Sequence, residues 1–183
     1  MRISGGEFRG RPLFTHKGLD VRPTPDKVRQ AFFNIIGEKI KGARFLDLFG
    51  GTGAMGLEAV SRGAAMSVIV EKDHSNLVIK NAGHIGLGDD PRICVIRADS
   101  FIALEKFWRE GDLFDIVYAD PPWKTDTWNR IAAMSAQILQ ENGLLTLEAF
   151  YKTPAPEDPG LELKDDRRYG DTVLYFYKPG FRG

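Results

Sequence analysis

From residue 43 onward, compact apolar blocks alternate with longer segments whose apolar positions recur at helical spacing. The blocks Arg44–Leu48, Ser67–Val70, Arg92–Ile96, Asp115–Ala119 and Leu144–Glu148 are predicted strands. Several are almost wholly apolar, as expected where helices cover both faces of a parallel sheet. Between them, Ala54–Arg62, His74–Ile85, Phe101–Trp108 and Thr127–Gln140 are predicted helices. An earlier helix is expected with Thr24 as its N-cap and Pro25 at the first helical position, where a missing amide is harmless. Val28, Ala31, Phe32, Ile35 and Ile36 would form its apolar face.

Both ends of the chain depart from this alternation. The first segment, through Leu13, is polar, basic and glycine-rich; Gly5-Gly6 and Gly10 predict sharp turns between short strands. Thr15–Pro23 follows as a loop. Near the other end, Thr153–Pro159 reads as a proline-rich acidic loop. Leu161–Lys164 and Thr172–Tyr177 are candidate strands separated by the polar segment Asp165–Asp171, an antiparallel pair that would close the sheet. The expected organisation is a basic, β-rich extension and loop over 1–23 and one α/β domain over 24–183.

Bulk composition narrows the class. In 183 residues, a 43% hydrophobic fraction supports one substantial core. No apolar run approaches the roughly 20 residues of a membrane span, and the start Met1-Arg2-Ile3-Ser4 lacks the apolar centre of a secretion signal. A cytoplasmic protein is expected. The single cysteine, Cys94, excludes an internal disulfide framework and reads as a buried strand thiol. His16, His74 and His84 show no ligand spacing, so no metal is expected. Net charge is zero, but residues 1–41 carry nine basic and four acidic side chains, leaving +5 there and −5 on the remainder. Arg2, Arg9, Arg11, Lys17, Arg22, Lys27 and Arg29 would make a basic face, the usual requirement for phosphate contact.

Candidate chemistry clusters after the strands. Asp47-Leu48-Phe49-Gly50-Gly51-Thr52-Gly53-Ala54-Met55-Gly56 follows the first core strand and opens a helix. Within it, Gly51-x-Gly53-x-x-Gly56 satisfies the dinucleotide-binding pattern, and Glu71 stands 20 residues after Gly51 to accept from ribose hydroxyls. This points to a nucleotide-like ligand without choosing between NAD and S-adenosylmethionine; the bland alternative is a turn needed only for helix–sheet packing. Asp47 would orient a methionyl ammonium, and Asp99 after the third strand an adenine amine. Ser100 reads as a cap whose backbone touches the adenine.

Asp120-Pro121-Pro122-Trp123 after the fourth core strand decides for methyl transfer. The Asp120 carboxylate and Pro121 carbonyl would accept the hydrogens of an incoming amine, the prolines would hold the loop extended, and Trp123 would offer a flat surface for its base.

Together these residues resemble the bacterial 16S ribosomal RNA guanine-N2 methyltransferase family that modifies guanine 966. The resemblance runs through Arg2-Ile3-x-Gly5-Gly6-x-Phe8-Arg9-Gly10-Arg11 and Arg22-Pro23-Thr24-x-Asp26-x-Val28-Arg29-x-x-x-Phe33-Asn34. It continues at Asp47–Gly56, Glu58, Ser61-Arg62-Gly63-Ala64, Glu71, Asp120–Trp123 and Arg168-Tyr169-Gly170-Asp171-Thr172. Gly50-Gly51 stands where alanine-glycine is common, and Trp123 where phenylalanine or tyrosine is commoner.

The resemblance implies a class I S-adenosylmethionine-dependent methyltransferase, a seven-stranded Rossmann-like α/β sheet with a small N-terminal extension. Arg22 and Thr24 would help close the cofactor pocket, joined by Asp47, Phe49, Gly50, Gly51, Thr52, Gly53, Glu71, Lys72, Asp99, Ser100 and Asp120. Asp120, Pro121, Pro122 and Trp123 would form the catalytic loop, and Arg2, Arg9, Arg11, Lys17, Arg22 and Arg29 would contact RNA. The implied partner is 16S rRNA in the small ribosomal subunit or an assembly intermediate, with ribosomal proteins completing the surface of a monomer. The competing readings are a DNA adenine-N6 methyltransferase, a protein glutamine-N5 methyltransferase, a noncatalytic RNA-binding assembly factor and an NAD-dependent dehydrogenase.

Overall fold

A computed structural model describes residues 1–15, 26–122 and 127–180. Five helices and seven strands follow in the order α1 (Asp26–Ile36), β1 (Arg44–Asp47), α2 (Ala54–Ser61), β2 (Met66–Val70), α3 (Ser75–His84), β3 (Ile93–Ile96), α4 (Ser100–Glu110), β4 (Phe114–Ala119), α5 (Trp128–Ala136), β5 (Leu139–Phe150), β6 (Leu161–Tyr169) and β7 (Thr172–Pro179). A short 3-10 turn, Gly37–Ile40, joins α1 to β1. The expected caps Thr24 and Pro25 lie outside the described residues.

The strands form one sheet in the order β3-β2-β1-β4-β5-β7-β6. β1 pairs in parallel with both β2 and β4, so the chain winds outward in both directions from this pair. β7 enters antiparallel between β5 and β6, which needs only a tight turn instead of a crossover helix. β4 is buried along nearly its whole length because α-helices cover both faces. On one face, Leu104 and Phe107 of α4 and Trp128 and Ile131 of α5 pack on Leu46, Val68, Val117 and Leu145. On the other, Phe32, Phe33 and Ile36 of α1 meet Phe45, Tyr118, Leu174 and Phe176.

The first 15 residues belong to that second layer. Ile3, Phe8 and Leu13 are buried among Leu57, Val60, Val78 and Ile85 of the α2–α3 flank. Their backbone forms a loop closed by one antiparallel bridge, Arg2 to Pro12, so the expected short strands reduce to a single bridge. Instead of a ladder, these apolar side chains and bonds to Ser61 hold the extension down: the Glu7 amide donates to the Ser61 carbonyl at 2.7 Å and the Phe8 amide to its hydroxyl at 3.0 Å.

Other boundaries shift for physical reasons. α5 ends at Ala136 and β5 begins at Leu139, whose register opposite Phe114 claims residues expected in a helix. β6 continues through the polar stretch to Tyr169: it is an edge strand, paired only with β7, and its charged side chains project into solvent. In α1, Phe33 is buried and Ile35 is 41% exposed, so the packed stripe is Val28-Phe32-Phe33-Ile36. Cys94 is half-buried because β3 is the opposite edge of the sheet.

A buried ionic knot ties α1, α2 and the N-terminus together. Glu58 and Arg29 are fully buried, and Arg29 Nε donates to Glu58 Oε2 at 2.6 Å. Arg29 Nη2 donates to the Arg2 carbonyl at 2.6 Å and to Asp26 at 3.0 Å. Arg62 lies 2.8 Å from Glu58 Oε1, while the Ser4 amide and hydroxyl both donate to the same carboxylate. Arg29 therefore cannot serve as the phosphate contact expected from the sequence; its charge is spent inside the fold. Removing one partner from such a pair strands the other charge in a dry site. Glu58→Ala should cost about 3–5 kcal/mol in urea unfolding and speed hydrogen exchange at the Ser4 amide; a loss under about 1 kcal/mol would refute the knot's importance.

Candidate active site

The sheet order reverses at β1/β4, and in open α/β folds the crevice beyond the strand ends at such a point is where ligands bind. The sequence-predicted residues Asp47, Phe49, Gly50–Gly53, Glu71, Lys72, Asp99, Ser100 and Asp120–Pro122 all lie at or just beyond the C-terminal ends of β1, β2, β3 and β4. Arg22, Thr24 and Trp123 lie outside the described residues, as does Lys17.

The glycine turn serves two demands at once. A Cβ on Gly50 or Gly56 would come within 2.4 Å of the Ile69 side chain, and one on Gly53 within 2.7 Å of Val78. These glycines let the turn and α2 sit directly on β2 and α3, which is the packing role that the glycine spacing also allows. Gly51 is different: its φ is +54°, and an added Cβ would meet nothing nearer than 4.0 Å. Its backbone borders open space. Phe49 carries a φ of 124° without being glycine, a strained conformation that the flanking bonds from Phe49 and Gly50 amides to the Val70 carbonyl enforce.

Glu71 holds this turn in place. Its Oε2 accepts from the Gly51 amide at 2.7 Å, and Oε1 accepts from the Asp73 and His74 amides at 2.9 and 3.0 Å. The carboxylate thus joins the turn after β1 to the loop after β2 and is fixed in orientation. Asp99 caps α4 by accepting from the Phe101 amide at 3.0 Å, and its other oxygen lies 3.3 Å from Lys72 Nζ. Burial works against its charge, but the Phe101 amide and Lys72 more than offset this and hold its carboxyl below the ordinary value. Ser100, 6% exposed, is the first residue of α4 rather than its cap.

Asp47 sits at the bottom of the crevice, 3% exposed, with Oδ2 accepting from the Gly56 amide at 3.1 Å. Burial pushes its carboxyl up to about 7; the charge of Glu71 adds to the rise and the Gly56 amide opposes it. Across the β1/β4 pair, Tyr118 stands opposite Asp47 and donates its hydroxyl to the buried Glu148 carboxylate on β5. Burial raises the Tyr118 phenol well above its usual range, reinforced by Glu148, Asp120 and Asp47. Asp120 is half-buried, Pro121 buried and Pro122 exposed in the loop that follows β4.

The protein-family model described as Conserved hypothetical protein 95 matches residues 1–178. The chain belongs to this family. Ribosomal RNA small subunit methyltransferase D of Escherichia coli (strain K12) is 36% identical over 163 residues, 88% of this chain and 77% of that protein. The YlbH protein of Bacillus subtilis (strain 168) is 32% identical over 181 residues, 97% of this chain and 98% of that one. Among solved structures, the hypothetical protein TTHA0928 of Thermus thermophilus superposes with a TM-score of 0.84 at 30% identity, covering 97% of this chain and 99% of that chain.

In this Conserved hypothetical protein 95 member, the structure adds three residues that the sequence reading passes over. Tyr118 and Glu148 look there like ordinary strand positions. Asn81, fully buried in α3, donates to the Thr52 carbonyl at 2.8 Å and to the Phe14 carbonyl at 3.1 Å, and accepts from the Phe14 amide at 2.7 Å. It couples the N-terminal extension to the glycine turn. Its signal is present in the sequence: an amide interrupting the Val78-Ala82-Ile85 apolar stripe. Of the expected RNA contacts, Arg2, Arg9 and Arg11 are exposed; Arg11 also anchors the extension by donating to the Ile85 carbonyl.

The raised Asp47 carboxyl has a stability consequence. A carboxyl whose folded value exceeds its unfolded value favours folding while protonated and opposes it once ionised. Its contribution is therefore intact below about pH 4 and lost as the pH rises through about 7. Asp47→Asn keeps an acceptor for the Gly56 amide without the charge. Urea unfolding should show the variant near wild-type stability at pH 4 and more stable by up to about 4 kcal/mol at pH 8. A difference independent of pH would show that Asp47 does not titrate in this window.

Proposed function

We propose that this chain transfers a methyl group from S-adenosylmethionine to N2 of guanine 966 of 16S rRNA, within the small ribosomal subunit or an assembly intermediate. The observation that carries the reading is the meeting of two loops at the β1/β4 crevice: the Asp47–Gly53 turn and the Asp120-Pro121-Pro122 loop. Family membership and the name of the Escherichia coli relative supply the substrate class. The loop chemistry suits a ring-conjugated amino group, and the N-terminal motifs that resemble guanine-N2 methyltransferases favour guanine N2 among such targets.

The residues at the crevice suit the cofactor's parts. The open space over Gly51 admits a ligand against backbone, and Glu71, already oriented by three amides, faces it as an acceptor for ribose hydroxyls. Asp47, buried and reluctant to ionise alone, would be drawn to its charged form by the methionyl ammonium. Asp99 and the start of α4 would meet the adenine. When bound, S-adenosylmethionine supplies an electrophilic methyl on a sulfonium.

The chain's own part is to hold the amine. Guanine N2 is a weak nucleophile because its lone pair is delocalised into the ring. Asp120 and the Pro121 carbonyl accept its two hydrogens and favour a more tetrahedral nitrogen aimed at the methyl. Positioning and electrostatic stabilisation of the developing positive charge are sufficient, without a strong base before transfer. The Glu148–Tyr118 pair adds negative potential beside Asp120, which favours the cationic product amine until its proton leaves to solvent. Trp123 would stack on the extruded base. The exposed Arg2, Arg9 and Arg11 would grip flanking phosphates, with Lys17 and Arg22 expected to join them. Such a substrate sets the work in the cytoplasm.

Methyl-labelled cofactor and small subunits lacking the modification provide the test. Label should appear in N2-methylguanine at position 966 on nucleoside mass spectrometry, and Asp120→Ala should lower kcat about a hundredfold or more. Active particles with no transfer, or label in another nucleoside, would overturn the assignment.

A further inference from the structure

At the same edge of the sheet, on the flank away from the N-terminal extension, a basic and aromatic turn stands beside the crevice. β5 runs parallel to β4, so Phe150 and the residues after it emerge where Asp120 does. The β6–β7 hairpin turns there too, through Gly170 with φ +65° and Asp171. The Tyr151 amide donates to the Asp171 carbonyl at 2.9 Å, fusing the end of β5 and the hairpin into one block.

Its side chains form a built surface. The Arg168 guanidinium centre lies 3.8 Å from the Tyr151 ring centroid, and Lys152 Nζ lies 5.6 Å from the same ring. Phe150 braces Tyr151 edge-on, with 4.7 Å between centroids. Arg168 Nε donates to the Gly170 carbonyl at 2.9 Å, which sets the guanidinium plane. Arg167, one position earlier, is neutralised by Asp165 at 2.9 Å. Among the described residues no carboxylate pairs with Arg168 or Lys152, though both are exposed and Asp171 is near. Two exposed cations without an ion-pair partner among the described residues stand out in a region, residues 42–183, whose net charge is −5.

We propose that Arg168, Lys152 and Tyr151 form a second RNA-contact surface, binding the phosphate backbone on the side of the target nucleotide opposite the N-terminal basic segment. The inference rests on the RNA substrate proposed above. Adjacent strands are about 4.8 Å apart, so β6, which carries Arg168, lies about 14 Å from the strand that leads to Asp120, while Lys152 follows β5 directly beside it; both are within reach of flanking phosphates. A guanidinium stacked on a ring and anchored at Nε presents its two Nη groups outward as a preformed fork for phosphate oxygens. The two basic surfaces would hold the strand on both sides while the base between them enters the crevice.

Arg168→Ala, Lys152→Ala and the double variant, assayed on unmodified small subunits over a range of salt, test this. The double variant should raise KM about tenfold, with kcat, cofactor affinity and Tm near wild type. The slope of log(kcat/KM) against log[salt] should become shallower by about one for each cation removed. Arg168→Lys should restore that slope. The same change should appear in filter binding of a protein-free rRNA fragment bearing the target nucleotide. Unchanged KM and salt slope would overturn the proposal; a defect on particles but none on the fragment would assign the surface to a ribosomal protein and overturn it also. If wild-type protein methylates neither substrate, the function proposed above fails, and fragment binding alone decides this surface.

Discussion

Pairing β1 with β4 at the centre of the sheet is the constraint from which the rest follows. The connection leaving β1 must cross toward β2, and the one leaving β4 toward β5, so the two loops diverge and leave a crevice between them. The described candidates for the cofactor site and the Asp120 loop lie at or just beyond strand ends on that side of the sheet. The strands can place them there because they are anchored by apolar contacts on both faces, with Phe45, Leu46, Val117 and Tyr118 essentially inaccessible to water. A rigid centre lets the loops be strained, as at Phe49, without the fold giving way.

The crevice concentrates carboxylates: Asp47, Glu71 and Asp120, with Glu148 beneath through Tyr118. Burial is the main reason the Asp47 carboxyl is raised, and the neighbouring charge of Glu71 adds to it. For a ligand bearing an ammonium and a sulfonium the same arrangement is favourable, since cationic groups relieve the repulsion. Negative potential at the centre and basic surfaces at the margins suit opposite ends of the problem: holding a cationic cofactor and a polyanionic strand.

How much of this is legible in the sequence depends on whether the information is local. The glycine turn, its preceding strand and Glu71 can be read from spacing because their function is a backbone geometry that only certain residues permit. Asp120-Pro121-Pro122 is legible because prolines leave few alternatives for the loop. Arg29 misleads because charge in a sequence carries no sign of burial; only the approach of Glu58, 29 residues away, shows that its guanidinium is internal. Tyr118 and Glu148 are hidden for the same reason, being strand positions whose meeting depends on β4 lying next to β5. β6 escapes in part because an edge strand has no buried face to impose a pattern, so its polar sequence looks like loop.

The N-terminal extension shows why such long-range contacts matter for function. Its apolar residues dock on the α2–α3 flank, and Asn81 bonds both sides of the junction, Phe14 on one and Thr52 of the glycine turn on the other. Asn81 has no surplus hydrogens: both donors and its acceptor are engaged in the junction. Displacing the extension would leave a buried amide group unsatisfied, at about 1–3 kcal/mol, and free the turn that borders Gly51. The segment carrying Arg9 and Arg11 is thereby coupled to the floor of the cofactor site, so a strand held by those arginines and a ligand held by that turn would stabilise the same arrangement. Such coupling would be reciprocal: whatever ordering a ligand on the turn lent to the extension, a strand bound at the extension would lend equally to the turn.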